Sequence, residues 1–573
     1  MELESPEALV DAGNRFASRG EFQTAAACYR AALLQRPQSV AVNGNLGSVL
    51  RRLGDLAGAM ECYQRALAID PNSAAAHNNL GNVLLQTGRP DEAMACYGAA
   101  IALKEDFAEA YNNLGKAHDD RGEIDQAIAC YRRAVSLEPG SARIHSNLVY
   151  ALHFHPGSTR ASLYAEHQRW NERHARPLVG SWRGHDNDRT PDRPLRVGYL
   201  SADLCLHAVG RFLLPLLRGH DPARVTSICY ASQAREDAFT ARLREHAQVW
   251  RNVLNLDDAQ SAEQIRADRV DVLVDLSMHM AGNRLPVFAR RPAPVQVTYL
   301  AYCSTTGLEA IDYRLTHRQL DPRASHRRFY AERSIELPSS YWCYEPGVAT
   351  PAVGELPARR RGGRITFGCL NSFCKVTRET LCLWRRLLAS VPRSQLLLHC
   401  HAGARRQEVR EFMRAGGVAP ARVEFADFVP IERYFEQYGD IDIALDPFPY
   451  CGGTTTCDAL WMGVPVVSLA GATAVSRSGR ALLTAVGLPE LAVATPSRYL
   501  RQAVKLAENS GRLAQLRRSL RERMRASALM DDRGFAREVE KAYRTMWGEL
   551  CAPGTRPSLN QIRGTFALIQ TRK

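Results

Sequence analysis

The first 150 residues repeat at a fixed interval of 34 positions, and this period constrains the fold more than any other feature of the chain. Four residue types recur, each at its own phase of the repeat. The columns are Asn45, Asn79, Asn113 and Asn147; Gly20, Gly54, Gly88 and Gly122; Ala25, Ala59, Ala93 and Ala127; and Tyr29, Tyr63, Tyr97 and Tyr131. A strict period of this length indicates stacked supersecondary units, each of which buries its apolar face only against its neighbours.

Small residues at helix contacts, with Pro37, Pro71 and Pro139 at the ends of units, are typical of tetratricopeptide repeats. We therefore predict an all-α superhelix of helix–turn–helix units over residues 1–155. Such an array has a concave groove that suits an extended polypeptide. We expect the remaining residues to act on proteins.

Charge is distributed unevenly along the chain. Residues 1–150 carry 14 Lys and Arg against 18 Asp and Glu, whereas the whole chain of 573 residues has a net charge of +14. A basic remainder suggests an anionic ligand, either a nucleotide or a nucleic acid. The alternative is a solvated basic face, because several arginines cluster between residues 512 and 525.

The amino-terminal sequence, the lengths of the apolar runs and the spacing of the cysteines bear on the cellular compartment. The amino terminus is acidic and lacks the apolar core of a secretory signal, and there is no apolar run long enough to span a membrane. The 15 cysteines form no C-x-x-C pair, and four of them follow the repeat period. We expect a cytoplasmic protein with reduced cysteines.

Beyond a helical linker over residues 156–193, short apolar runs alternate with helical periods, which indicates parallel sheets built from β–α–β units. We predict two doubly wound lobes, at 194–345 and 346–573. The predicted strands are 195–201, 225–230, 270–276, 295–300 and 313–316 in the first lobe, and 364–370, 395–400, 422–428, 442–446 and 465–469 in the second. Ligands bind such sheets at the carboxyl ends of the strands.

The loop after the strand at 442–446 carries the strongest signal. Gly452 and Gly453 turn the chain, and Thr454, Thr455 and Thr456 open a helix. Glycines allow a ligand to approach the backbone, and a helix amino terminus favours phosphate. Asp458 lies in the first turn of this helix and could accept a hydrogen bond from a ribose hydroxyl. The alternative is that these Thr and Asp side chains only cap the helix.

Three further polar residues follow predicted strands. Lys375, with Asn371 just before it, is the only lysine between Lys116 and Lys505, and it could neutralise a diphosphate leaving group in place of a metal. His207 and His279 could each act as a general base or position an acceptor hydroxyl. An exposed lysine and two structural histidines are the alternatives.

Several motifs are missing or misplaced. Asp440-Ile-Asp442 matches a D-x-D metal motif but enters an apolar strand, so we interpret it as structural. The P-loop and G-x-G-x-x-G patterns are absent, which argues against an ATPase or a dinucleotide enzyme. No aromatic, basic segment resembles an RNA platform.

Taken together, these residues resemble the O-linked N-acetylglucosamine transferase family, including its SPINDLY-like and bacterial-type members. The resemblance depends on the repeats, on RVGYLSADL before His207, on ARRPAPVQVTYLAYCSTTG at 289–307, on Asn371 to Lys375, and on GGTTTCDALWMGVPVV at 452–467. It implies a GT-B glycosyltransferase that inverts the anomeric centre without metal or cofactor. The implied reaction moves N-acetylglucosamine from UDP-GlcNAc to Ser or Thr hydroxyls of intracellular proteins.

The resemblance also implies roles for individual residues. Lys375 would hold the diphosphate, Thr454 and Thr455 its oxygens, and Asp458 the ribose. His207 would be the base or would position the acceptor, and His279 lies in a D-L-x-x-H pattern similar to that of plant and bacterial members. The asparagines of the repeats, Asn45, Asn79, Asn113 and Asn147, would grip the backbone of a protein acceptor.

The chain departs from the family pattern at several places. Tyr434 stands where animal members have a histidine near the nucleotide, and Gly453 replaces another. Ala301, Cys303 and Ser304 replace residues of the G-Y-P-G-T-S/T-G loop, and the insert between the lobes of animal enzymes is missing.

Three other functions therefore stay open. One is protein O-fucosylation from GDP-fucose by a SPINDLY-like enzyme, and another is a non-enzymatic tetratricopeptide scaffold. Nucleic-acid binding is the third, although no binding module supports it.

Overall fold

The computed structural model describes residues 5–234, 236–322 and 324–552. These residues divide into two compact units. One comprises 1–151 together with 372–374 and 400–412, and the other comprises 152–371, 375–399 and 413–573, of which 553–573 lie outside the described residues. The predicted boundary at 155 falls four residues beyond the end of the first unit's main segment, and the last 21 residues of the predicted second lobe lie outside the described part.

The main segment of the first unit is helical, as the 34-residue period predicts. Consecutive helices pair as antiparallel hairpins, four complete ones and a final single helix. They are α1 (Pro6–Ser18), α2 (Phe22–Gln35), α3 (Val40–Leu53), α4 (Leu56–Ile69), α5 (Ala74–Gln86), α6 (Pro90–Leu103), α7 (Ala108–Asp120), α8 (Ile124–Leu137) and α9 (Ala142–Ala151).

In each hairpin, a glycine on the first helix packs against the ring of a tyrosine on the second helix. A Cβ built on Gly47 would lie 2.8 Å from the ring of Tyr63, and one on Gly81 would lie 2.6 Å from the ring of Tyr97. The same pairing joins Gly13 to Tyr29 and Gly115 to Tyr131. The tyrosine column is therefore repeated because each ring fills the place of an absent side chain on the preceding helix.

The other predicted columns have equally direct causes. The four column alanines are wholly buried. The column glycines have φ between 70° and 84°, a left-handed conformation that ends the first helix of each hairpin and favours glycine.

The second unit begins with a short linker, in which a 3-10 turn (Leu152–Phe154) precedes α10 (Arg160–Trp170). Its other helices are α11 (Ala208–Gly219), α12 (Ala238–His246), α13 (Asp258–Ala267), α14 (Leu285–Ala289), α15 (Pro357–Arg360), α16 (Arg378–Ser390), α17 (Ala404–Arg414, mostly assigned to the first unit), α18 (Ile431–Tyr434), α19 (Thr454–Trp461), α20 (Ser478–Ala485), α21 (Pro496–Ala507), α22 (Ser510–Arg525) and α23 (Asp532–Cys551).

Two parallel sheets organise this unit. Among the described residues, the first sheet has the order β3-β2-β1-β4-β5-β6-β7 and the second has the order β10-β9-β8-β11-β12-β13. The strands are β1 (Leu195–Ser201), β2 (Val225–Ala231), β3 (Val249–Asn252), β4 (Val272–Asp275), β5 (Val295–Thr298), β6 (Tyr313–Thr316), β7 (Arg333–Glu336), β8 (Ile365–Cys369), β9 (Ser394–His399), β10 (Val423–Ala426), β11 (Ile443–Leu445), β12 (Val466–Leu469) and β13 (Ala492–Val493). The prediction of helical repeats followed by two doubly wound lobes is confirmed.

The ten predicted strands are all present, and the three that the sequence missed lie at sheet edges. β3 and β7 are partly exposed along their lengths, and β13 has two residues. An edge strand buries too little side-chain surface to produce a continuous apolar run.

No helix within the described residues is long and apolar enough to cross a membrane.

Candidate functional site

The start of α19 presents backbone N–H groups at the carboxyl end of β11. The helix begins at Thr454, Gly453 occupies the N-cap position, and no side chain caps this terminus. Thr454 and Thr455 are half-buried, so their hydroxyls border the same opening. The uncapped N–H groups and the positive end of the helix dipole form a setting that favours an anion.

The two glycines before α19 differ in their surroundings. A Cβ on Gly452 would lie 2.5 Å from Thr456 Oγ1 and 2.7 Å from Thr455 Oγ1, whereas a Cβ on Gly453 would meet nothing within 4 Å. Gly452 is therefore required by packing within the loop, and Gly453 faces open space where a ligand can approach the backbone.

Asp446 fixes the shape of this loop. Its buried carboxylate accepts hydrogen bonds from Gly452 N at 2.6 Å and from Ser468 Oγ at 2.6 Å. Burial raises its pKa to about 6, against the opposing effect of these hydrogen bonds and of the Lys375 charge. The sequence marked Asp446 only as the end of a strand.

Lys375 and Asn371 border the loop from the end of β8. Lys375 Nζ donates to the Cys451 carbonyl at 3.3 Å and lies 4.5 Å from the centre of the Tyr450 ring. Asn371 Oδ1 accepts a hydrogen bond from Thr455 Oγ1 at 2.6 Å. The structure thus brings together the two segments that the sequence singled out separately.

Tyr434 reaches the same loop through a second tyrosine. Its hydroxyl lies 2.8 Å from that of Tyr438, which donates to the Thr455 carbonyl at 3.2 Å. Burial raises the pKa of both phenols well above the ordinary value, so they stay neutral.

Asp458 has partners that the sequence did not reveal. Its carboxylate is 1% exposed, lies 2.5 Å from the Arg211 guanidinium of α11, and accepts from the Tyr344 hydroxyl at 2.7 Å. It therefore joins the two lobes. A role toward ribose stays a prediction, and it would require the carboxylate to accept a further hydrogen bond beside these two.

His207 stands at the start of α11 and is the more accessible of the two candidate histidines. Its side chain is 44% exposed, and Nδ1 lies 3.7 Å from Asp203 Oδ1 and 3.4 Å from the Val209 N–H. The Val209 N–H donates to Nδ1 in this structure, so a base role for Nε2 requires Nδ1 to release that contact, carry the proton and turn to Asp203, which leaves Nε2 as the acceptor.

His279 is wholly buried. Nε2 lies 2.8 Å from the Thr306 carbonyl, and the ring packs edge-on against His167 and Trp170. This environment favours the structural alternative that the sequence left open, and its predicted catalytic role stays untested.

The predicted acceptor-groove asparagines bond to neighbouring amides. Asn113 donates to Asn78 at 2.9 Å and Asn147 donates to Asn112 at 2.7 Å. Asn45 donates to Asn14 at 3.3 Å, and Asn79 accepts from Asn78 at 3.5 Å. The column therefore forms an amide network along the array, and its contact with an acceptor stays a prediction.

The described residues give little support for a metal-binding site. They contain no group of three or more His, Cys, Asp and Glu residues that could hold a metal ion. The Asp442 carboxylate accepts from the Ala358 and Thr366 N–H groups, which agrees with its structural interpretation.

Comparison with known proteins agrees with this geometry. The pattern of the family described as "Glycosyl transferase family 41" matches residues 141–345 and 356–539, and tetratricopeptide patterns match 47–88, 81–119 and 108–141. The chain is 36% identical over 422 residues to the "Probable UDP-N-acetylglucosamine--peptide N-acetylglucosaminyltransferase SPINDLY" of Solanum lycopersicum, covering 72% of this chain and 45% of that protein. It is 29% identical over 368 residues to the Arabidopsis thaliana protein of the same description called SEC, covering 62% and 38%.

The chain therefore spans less than half the length of these two curated relatives. Among solved structures, it is similar to a lysine-to-methionine mutant of the Thermobaculum terrenum O-GlcNAc transferase. The TM-score is 0.83 with 36% identity, and the similarity covers 89% of this chain and 98% of the other. The two sheets of the second unit thus have the GT-B arrangement.

Proposed function

The chain belongs to glycosyl transferase family 41, and from this membership we propose that it transfers N-acetylglucosamine from UDP-GlcNAc to Ser or Thr hydroxyls of proteins. The observation that carries the proposal is the uncapped start of α19, with Thr454 and Thr455 at its edge and Lys375 beside the loop. Backbone N–H groups, hydroxyls and one ammonium group together suit a diphosphate.

The proposed chemistry uses residues on both lobes. The acceptor oxygen bonds to the anomeric carbon on the face opposite the diphosphate, and the bond from that carbon to the β-phosphate oxygen breaks. The electron pair stays on the diphosphate, where Lys375 and the start of α19 stabilise the developing charge. The hydroxyl proton passes to a base, for which His207 Nε2 is our candidate.

Lys375 takes the part that a divalent cation plays in other transferases. Its Nζ already lies at the loop, 3.3 Å from the Cys451 carbonyl, so no rearrangement of the backbone is needed to place a cation there. We propose on this basis that transfer is independent of metal and of any cofactor.

The amide network of the repeats supports a role in holding acceptor proteins. Side-chain amides both donate and accept, so they can match the backbone of an extended segment of any sequence. We propose that proteins bind along this array, and that the reaction takes place in the cytoplasm. Deleting residues 1–110 should impair transfer to whole proteins more than transfer to short peptides, and equal losses would contradict recruitment by the repeats.

A second donor has support in the comparisons. The relatives with 36% identity carry the SPINDLY name, whereas SEC shows 29%. Resemblance to SPINDLY-type enzymes leaves GDP-fucose as the alternative donor. A comparison of UDP binding with GDP binding decides between UDP-GlcNAc and GDP-fucose.

Calorimetry with UDP and with GDP tests the proposal, together with intact-mass analysis of proteins incubated with each nucleotide sugar. We expect UDP to bind more tightly than GDP. Lys375→Ala should weaken UDP binding about tenfold to a hundredfold, since it removes a charge-assisted contact. The exposed Lys505→Ala is the matched control and should leave binding unchanged. Tighter GDP binding would replace the donor, and binding of neither nucleotide would favour the scaffold alternative.

A further inference from the structure

Two arginines in the segment after β12 are held by neutral oxygens. Arg477 ends a 3-10 turn (Val475–Arg477), and Arg480 lies in the first turn of α20. Arg477 Nε donates to the Gln319 carbonyl at 2.8 Å, and Arg480 Nε donates to the Gln319 side-chain oxygen at 3.2 Å. Within the described ranges, neither guanidinium forms an ion pair. Gln319 therefore fixes both groups in place without neutralising their charge.

A third guanidinium lies near these two. Arg160, at the first position of α10, acts on Arg477 as a like charge, and so does Arg480. Burial and these two neighbours lower the pKa of Arg477, but an arginine keeps its proton at neutral pH all the same. Arg160, Arg477 and Arg480 thus form an arginine cluster in which like charges repel.

The Asp321 carboxylate attracts Arg477, but its oxygens are occupied by other residues. Oδ2 accepts hydrogen bonds from Arg314 Nη1 at 2.8 Å and from Thr316 Oγ1 at 2.7 Å, and Oδ1 accepts one from the Tyr330 hydroxyl. Because the Arg314 guanidinium already balances this carboxylate, the arginine cluster keeps an excess of positive charge.

The arginine cluster adjoins the loop that is proposed to hold the diphosphate. The Val475 carbonyl accepts from the Cys451 N–H at 3.2 Å, and the Ser476 carbonyl accepts from the Cys451 thiol at 3.3 Å. The carbonyl of the same cysteine accepts from Lys375. Arg477 therefore follows directly after two residues that pack against the diphosphate loop.

A fixed excess of charge acts on an anion before the two are in contact. The attraction extends over the Debye length, which is about 8 Å at physiological ionic strength and about 30 Å at about 10 mM. A charged region beside a cleft raises the association rate of an oppositely charged ligand, and the effect falls as salt is added. In the proposed reaction, the anionic ligand of this cleft is the nucleotide sugar.

We propose that the arginine cluster steers the anionic nucleotide sugar toward the start of α19, and that Lys375 and the helix start then hold the bound diphosphate. The inference rests on the proposed function, because that function brings a diphosphate to this loop. Steering needs only proximity, whereas direct contact would compete with the hydrogen bonds that Arg477 and Arg480 donate to Gln319.

The test measures the association and dissociation rate constants of UDP on the full chain, by stopped-flow competition with a fluorescent UDP analogue. At about 10 mM ionic strength, Arg477→Met and Arg480→Met should each lower the association rate constant about twofold, and the double variant about fivefold. The dissociation rate constant should stay unchanged. In about 1 M salt, where the Debye length is about 3 Å, the variants should match the wild type.

Three controls separate steering from other effects. Arg518→Met removes an exposed arginine of α22 outside the cluster, and it should leave both rate constants unchanged. Arg477→Lys keeps the charge but loses the planar fork, so steering predicts near-normal association, whereas direct contact with phosphate predicts a loss. Uridine, which lacks the diphosphate, should associate equally with all variants.

The proposal is overturned if the double variant keeps the wild-type association rate at low salt. It is also overturned if the loss lies in dissociation and persists in high salt, which would indicate direct contact. Unchanged UDP rates with a raised KM for acidic acceptor peptides would overturn it too, because the cluster would then serve the acceptor. A wild-type chain that binds neither UDP nor GDP refutes the proposed function, whereas one that binds UDP at a salt-independent rate refutes only the steering.

Discussion

Each of the two lobes has a helix that starts at the carboxyl end of a central strand, but only one of these helices is capped by a side chain. In the first lobe, α11 begins after His207, whose side chain accepts from the Val209 N–H. In the second, α19 begins after Gly453, and no side chain caps it. A capped terminus uses an N–H group on its own chain, whereas an uncapped one keeps its N–H groups for a ligand. In the proposed function, this difference favours the second lobe for the donor's diphosphate and the first lobe for proton transfer.

The largest effect on transfer activity should come from replacing His207, at the capped start of α11. His207→Ala removes the candidate base, and we expect transfer to fall by about 10²- to 10⁴-fold, the usual contribution of general base catalysis. UDP affinity should stay within twofold, because the side chain belongs to the other lobe. Turnover and calorimetry on the same preparation check this, and weakened UDP binding would contradict the division of roles.

Adjacent glycines provide the next test. Gly452→Ala would press a methyl group against the Thr455 and Thr456 hydroxyls, and we expect UDP affinity to fall by about a hundredfold, in line with the usual few kcal/mol cost of overpacking. Gly453→Ala meets no protein atom within 4 Å and has φ of −113°, so the loss of UDP affinity should come only from crowding the ligand and should stay below about tenfold. Equal losses from the two variants would show that the loop tolerates no side chain at either position.

A third test adds a side-chain cap to α19, so that both helices have capped N-termini. Gly453→Asp should place a carboxylate on the N–H groups of the first turn, which stabilises the helix but repels a diphosphate. We expect UDP affinity to fall at least about tenfold, with an unchanged or higher melting temperature. Gly453→Asn, a neutral cap, is the control for charge and should lose less. Normal UDP binding by the Asp variant would refute the anion site at α19.

A smaller effect should appear in the pH dependence of donor binding. Asp446 has a pKa raised to about 6 by burial, so it is protonated below that pH and charged above it. The charge faces Lys375, Cys451, Cys369, Ser468 and Tyr499, and only Lys375 opposes it with a positive charge. Because a diphosphate adds negative charge beside it, UDP-GlcNAc affinity should fall severalfold as pH rises through about 6.

Asp446→Asn should flatten this profile. Asp442→Asn alters a buried carboxylate at the other end of β11 that also accepts from backbone N–H groups, so it should preserve the profile. Parallel profiles for wild type and Asp446→Asn would assign the dependence to another group. The same raised pKa also affects the stability of the fold. The free energy of unfolding should fall as pH rises from about 4 to about 6, because the native state binds more protons than the unfolded chain in this range.

Much of the fold could be predicted from sequence because its causes are local. The tyrosine and alanine columns report packing within one hairpin, and central strands are apolar runs because both faces are covered. Edge strands such as β3 were missed because partial exposure removes that signal.

The site divides in the same way. The loop at Gly452 to Thr456 was predictable, since a strand end, a glycine pair and a helix start are consecutive in the chain. The partners of Asp458 were not, because Arg211 and Tyr344 lie more than a hundred residues away and only the folded chain brings them together.

The pair between Arg211 and Asp458 also bears on how spent nucleotide departs. Swinging the halves apart would pull a guanidinium from its carboxylate and wet two groups that are now dry, at a cost of several kcal/mol. In the proposed reaction, we therefore expect the nucleotide to leave past the open side of Gly453, without separation of the two lobes.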